Sequence, residues 1–168
     1  MLSIFLLIKK LLKFLNSNES VENIAFSLTI ALCVAIIPFN LIMHLLLLLL
    51  LIGFNGNLFI FLFITPILNI FTSSINLELH NIGNYFLGND RFLPIFEQLN
   101  DVPFLIFINW NNTVSFGSYI LSLCLSIPTY FFYKFSINKY RQIILPKLKQ
   151  SKLFHLLKVP SWVSIFKR

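Results

Sequence analysis

Between Ile24 and Ile52 the chain carries no Asp, Glu, Lys or Arg, and its apolar run is broken once, at Pro38-Phe39-Asn40. The first half, Ile24 to Ile37, spans 14 residues, about 21 Å of helix; the second, Leu41 to Ile52, spans 12, about 18 Å. Neither half crosses a hydrocarbon core of ~30 Å alone. A single helix over the whole run would be too long for a straight span, and Pro38 lacks the backbone donor such a helix needs. The run therefore predicts two short membrane-depth helices joined by a tight turn, a hairpin that enters and returns on one side.

Composition makes the same demand for an apolar solvent. Hydrophobic residues make up 57% of the 168-residue chain and charged residues 11%, with a mean hydropathy of +0.82. A soluble domain carries roughly twice that charged fraction. The net charge of +7 is concentrated at the ends. Lys9, Lys10 and Lys13 precede the apolar run, Lys134 to Arg168 holds the remaining lysines, and only Arg91 lies between. Charges that flank apolar segments follow the positive-inside rule, so nucleic-acid binding is not expected. The expected fold is a single-domain all-α integral membrane protein: a Pro-broken helical hairpin, two transmembrane helices, and amphipathic helices at both ends.

In chain order, residues 1–16 read as an interfacial helix whose lysines face anionic lipid headgroups, or as an ordinary helix packed on the protein. Asn16, Ser17 or Asn18 is the expected cap of the next helix, with Glu19 and Glu22 in its first turn. Ser27, Ala31 and Ala35 form a small-residue stripe that would admit a second helix closely. Residues 58–77 form a span, kinked near Thr65-Pro66. Residues 78–111 form an external loop with a short surface helix over Phe92 to Leu99, and residues 112–133 form the returning span. Trp110, Tyr130 and Tyr133 are expected at membrane interfaces. Residues 134–168 form a basic cytoplasmic tail with a helix over Lys147 to Lys158. If both basic termini are cytoplasmic, the number of crossings is even. Either 24–52 or 58–82 must then be the returning element, and the more equal halves of 24–52 favour it.

The polar residues at membrane depth are few. His44 would mark a pathway or partner contact, or would donate to a backbone carbonyl freed at Pro38; the second is the simpler use. Pro38 with Asn40, and Pro66 with Asn69, are two interrupted apolar segments. They are either paired broken helices around a midplane site or two independent kinks. Asn111 and Asn112 precede the last span, where capping is their simplest role. Cys33 and Cys124 fall in apolar segments and read as inert core thiols. No catalytic constellation, metal-ligand spacing or cofactor motif is present, so neither enzyme activity nor a cofactor is expected.

The ordered set Lys13-Phe14-Leu15-Asn16-Ser17, Ile24-Ala25 opening a helix that ends at Pro38, Asn111-Asn112-Thr113-Val114 with Gly117-Ser118, Lys139-Tyr140-Arg141 and Lys152-Leu153-Phe154 resembles a family of bacterial membrane proteins of the domain-of-unknown-function 2062 type, in its small stand-alone form. The family tends to place glycines four apart in the first helix, where this chain has Ser27, Ala31 and Ala35. The resemblance implies a bacterial inner-membrane location and a larger envelope protein as partner. Two functions are expected from these readings. One is a non-catalytic accessory or scaffold subunit of an envelope assembly. The other is a small transporter or lipid-handling protein, acting as a homo-oligomer, with the broken hairpin as its binding site.

Overall fold

A computed structural model describes residues 19–100, 102–144 and 146. The expected interfacial helix at 1–16 and tail helix at Lys147 to Lys158 lie outside the described residues. All regular structure among the described residues is helical. Contacts divide the chain into two units, one of residues 20–134 and one joining 1–19 to 135–168.

The first unit begins with α1, Val21–Ile36, capped by Ser20. The Ser20 backbone is extended (φ −63°, ψ 145°), and its hydroxyl accepts the Asn23 N–H at 3.1 Å. The cap thus falls later than the expected Asn16 to Asn18, and of the two glutamates only Glu22 enters the first turn. At the other end Ile37 turns extended (φ −75°, ψ 124°), the conformation a following proline favours. Asn40 then restarts the helix: its Oδ1 accepts the Met43 N–H at 3.0 Å, opening α2, Leu41–Gly53. The interruption at Pro38 therefore has a cap on its far side, which makes it a corner rather than a frayed end.

From that corner α2 runs back along α1. The Phe54 ring just past its C-terminus lies 5.4 Å from Phe26 near the start of α1. A turn with Asn55 at φ 55° leads to Asn57, whose Oδ1 caps α3, Leu58–Thr72. The α1–α3 seam follows the small-residue stripe. Ser27 Oγ accepts the Asn57 N–H at 2.6 Å and donates to the Asn23 carbonyl at 2.7 Å. Ala31 is fully buried in a cluster with Ile30, Val34, Leu51 and Phe61. The Thr72 hydroxyl donates to the Ala35 carbonyl at 2.6 Å. Small side chains bring the backbones close enough for these bonds, as at helix interfaces in lipid.

Pro66 lies inside α3 without ending it. A proline removes one helical donor, and here the Thr65 hydroxyl beside it donates to the Phe61 carbonyl at 2.7 Å. Segment 58–82 therefore does not fold back on itself. The helix tightens to a 3₁₀ turn at Ser73–Ile75 and continues as α4, Asn76–Leu87. The stretch expected to open an external loop at residue 78 is thus helical for its first ten residues. Its buried or half-buried positions Ile75, Leu79, Ile82, Gly83 and Phe86 recur at helical spacing.

Two short helices follow, α5 (Leu93–Asn100) and α6 (Pro103–Ile106), before α7, Thr113–Lys139. Asn112 caps α7 by accepting the N–H groups of Val114 and Ser115 at 2.9 and 3.1 Å. Trp110, expected at a membrane interface, is instead buried, with its ring 5.5 Å from Phe96. Phe96 in turn meets Phe116 edge-on at 5.4 Å, which ties the loop to α7. Leu58–Leu87 and Thr113–Ile143, 30 and 31 residues, are each long and apolar enough to cross a bilayer. Only 11% of either apolar window is buried within the protein, whereas a core helix of a soluble domain is mostly covered.

In the second unit, the Arg141 guanidinium donates to the Glu19 carbonyl at 2.9 Å. The Lys139 ammonium sits 4.5 Å from the centre of the Phe135 ring, and a π-helical turn covers Tyr140–Ile144.

Candidate functional site

α1 has a second face beside the α1–α3 seam, and it forms one wall of a groove. Phe26, Thr29, Ile30, Cys33 and Ile37 recur at helical spacing along it, beginning at Glu22 and Asn23. Met43, Leu47, Leu50 and Phe54 of the returning α2 form the second wall. Tyr119, Ser122, Leu123, Ser126, Ile127, Tyr130 and Phe131 of α7 form the third. The hairpin holds this space open: α1 and α2 meet at the Pro38 corner and at the Phe26–Phe54 contact. α7 is fixed against α1 at two levels. The Cys33 thiol donates to the Ser122 carbonyl at 3.7 Å, and Lys134 Nζ lies 3.0 Å from Glu22 Oε1. The groove is open to one side and has a volume of about 810 Å³, within the ~300–1,000 Å³ range of small-molecule sites.

The walls are apolar even where polar residues occur. Thr29 donates to the Ala25 carbonyl, Ser126 to the Leu123 carbonyl and Tyr119 to the Ile108 carbonyl. Hydroxyls used in this way leave methyl, methylene and ring surface facing the groove. Ser122 is the exception: its Oγ is buried and meets no hydrogen-bond partner. Glu22 is the one charged residue in the lining. Its carboxylate is held below the usual range by a backbone hydrogen bond, then by the Lys134 ammonium. Such a site binds by shape and dispersion along its length and by charge at one end.

None of Pro38, Asn40, His44, Pro66, Asn69, Asn111 and Asn112 lines this groove. Asn40 caps α2 and donates from its amide to the Phe107 carbonyl at 2.8 Å, fastening the hairpin corner to the segment before α7. His44 lies against Phe39, ring centres 5.4 Å apart, and its Nδ1 is buried without a partner, so that nitrogen does not serve a freed carbonyl. Asn69 is exposed on α3, and no hydrogen bond among the described residues joins it to Asn40 or His44. Asn112 is a cap and Asn111 is exposed beside it. Cys33 is buried at the groove, whereas Cys124, expected in a core, is exposed on α7. Among the described residues, no three His, Cys, Asp or Glu side chains come together. The groove was missed because it depends on α1 and α7, almost ninety residues apart, being antiparallel. Its trace in the sequence is the spacing of Tyr119, Ser122, Ser126 and Tyr130.

These features define a helical protein with two potential membrane-crossing helices and an apolar groove beside a broken hairpin. The chain belongs to the DUF2062 family, described as an uncharacterized protein conserved in bacteria, which matches residues 6–143. It is also similar to a protein of Treponema pallidum (strain Nichols), described as an uncharacterized protein. The two are 22% identical over 148 residues, covering 88% of this chain and 91% of the relative. No solved structure matches the chain.

Proposed function

We propose that this is a non-catalytic, lipid-handling protein of the bacterial inner membrane, which holds the hydrocarbon chain of a membrane lipid in the groove between the hairpin and α7. The observation that carries the reading is the groove itself: about 810 Å³, apolar along three helices, with its charge confined to the Glu22 end. Alkyl chains fit this chemistry because they form no hydrogen bonds and pack by dispersion against methyl, methylene and ring surface.

The proposed topology has both termini on the cytoplasmic side. The pairing of Glu22 at the start of α1 with Lys134 near the end of α7 supports it, since those two points lie at one level. The return of Phe54 to Phe26 supports 24–52 as the element that enters and leaves on one face. Leu58–Leu87 then crosses outward and α7 crosses back. Lys134 falls on the cytoplasmic side, as the positive-inside rule requires. An accessory role beside a larger envelope protein rests on the resemblance and on composition, and no groove residue is needed for it.

The test is native mass spectrometry of the full chain released from its own membranes in mild detergent. The wild type should retain one lipid per chain. Ser126→Phe, which fills the groove from α7 without touching the α1–α3 seam, should retain none while unfolding at the same temperature. Equal lipid retention by both proteins contradicts the reading.

A further inference from the structure

The charged end of the groove carries information about which lipid would occupy it. This inference rests on the lipid-groove reading. Glu22 lines the groove, and Lys134 meets its carboxylate at 3.0 Å. Asn23 and Tyr130 line the same end. Both charged side chains remain partly open to the surroundings, 37% for Lys134 and 54% for Glu22. An ion pair so exposed is worth little by itself, so a ligand can part it at small cost, provided neither charge is left alone.

We propose that the groove selects a phospholipid whose headgroup carries both a phosphate and a primary ammonium, with Lys134 taking the phosphate and Glu22 the ammonium. The exchange is balanced in charge. The carboxylate–ammonium pair of the protein gives way to one carboxylate–ammonium pair and one ammonium–phosphate pair, and the site plus headgroup stays neutral. An anionic headgroup with no amine would satisfy Lys134 and set its phosphate against the Glu22 carboxylate. A trimethylated ammonium would keep the charge and lose every N–H donor, and with them the charge-assisted hydrogen bond to Glu22. The apolar walls treat all three lipids alike, so discrimination rests on this pair.

The experiment uses the full-length chain, stripped of lipid in detergent. It is offered dioleoyl phosphatidylethanolamine, phosphatidylglycerol or phosphatidylcholine, and bound lipid is counted by native mass spectrometry. The wild type should prefer phosphatidylethanolamine over each competitor by about tenfold, the weight of one charge-assisted hydrogen bond near a surface. Glu22→Gln should erase the preference over phosphatidylcholine and leave total binding in place. Lys134→Gln should weaken all three lipids, and Lys134→Arg should restore both binding and selection. Equal binding of the three lipids to the wild type, with binding still lost in Ser126→Phe, overturns the headgroup assignment and leaves the groove standing. Binding unaffected by Ser126→Phe overturns the groove reading, and the headgroup assignment falls with it.

Discussion

Gly117 of α7 lies against the backbone of α4 at Gly83: a methyl group on its Cα would sit 2.9 Å from the Gly83 amide nitrogen and would overlap the Leu79 carbonyl oxygen. Gly83 is pressed in turn onto the Thr113 carbonyl. Two of the five glycines in the chain thus face each other at one helix crossing.

Because the overlap is with backbone, no side-chain rotation relieves it. Gly83→Ala and Gly117→Ala should each destabilise the protein by about 1–3 kcal/mol, the usual cost of overpacking. Gly53→Ala is the control. Nothing lies within 4 Å of its added methyl, and the loss of unfolded-state freedom should stabilise by about 0.4–1 kcal/mol. Thermal unfolding in one detergent, followed by circular dichroism, separates the three.

The α1–α3 seam depends on a hydroxyl that works in both directions. Ser27→Ala would leave the Asn57 N–H without its 2.6 Å acceptor, at a cost of about 1–3 kcal/mol for a buried donor. Ala31→Leu should cost at least as much, since Ala31 is fully buried between α1 and the Leu51–Phe61 cluster. Chemical denaturation midpoints check both, and a neutral Ala31→Leu would mean that the helices are further apart than the seam requires.

Cys124 is exposed on α7 and Cys33 is buried. In intact membranes, a charged maleimide should label neither thiol, because the proposed topology places Cys124 in lipid. A small, uncharged, lipid-soluble thiol reagent should label Cys124 well before Cys33. Rapid labelling of Cys124 by the charged reagent would contradict membrane insertion of α7.

Ser122 offers a cleaner reading of the groove's interior. Its buried hydroxyl meets no partner, so Ser122→Ala should raise stability slightly or leave it unchanged, and should leave lipid retention intact. A loss of retention would show that the occupant carries a polar group at that depth, which a plain alkyl chain does not.

Much of the hairpin was legible because its signals are local. Pro38 removes a donor, Asn40 can cap, and both facts hold whatever surrounds them. Asn112 was legible as a cap for the same reason. The Ser27–Ala31–Ala35 stripe announced a close helix partner, though not that α3 would be it. Pro66 reads as a possible point of return, but a single missing donor does not end a helix whose neighbours hold it. The start of the polar segment after residue 77 reads as a loop because its charge outweighs its spacing, yet Leu79, Gly83 and Phe86 recur on one face. Trp110 was placed at an interface by residue type, while Phe96, fourteen positions earlier, draws it inward. The groove requires the antiparallel placement of α1 and α7, which the Cys33–Ser122 and Glu22–Lys134 contacts reveal and no local pattern encodes.

The most direct test of lipid binding is a crystal structure of the full chain grown from a lipid mesophase. A rod of density is expected between Phe26 and Ile30 of α1, Leu47 and Leu50 of α2 and Ser126 of α7, ending near Glu22 and Lys134. A groove closed by α2 collapsing onto α7, or filled by side chains of a second copy, would contradict it.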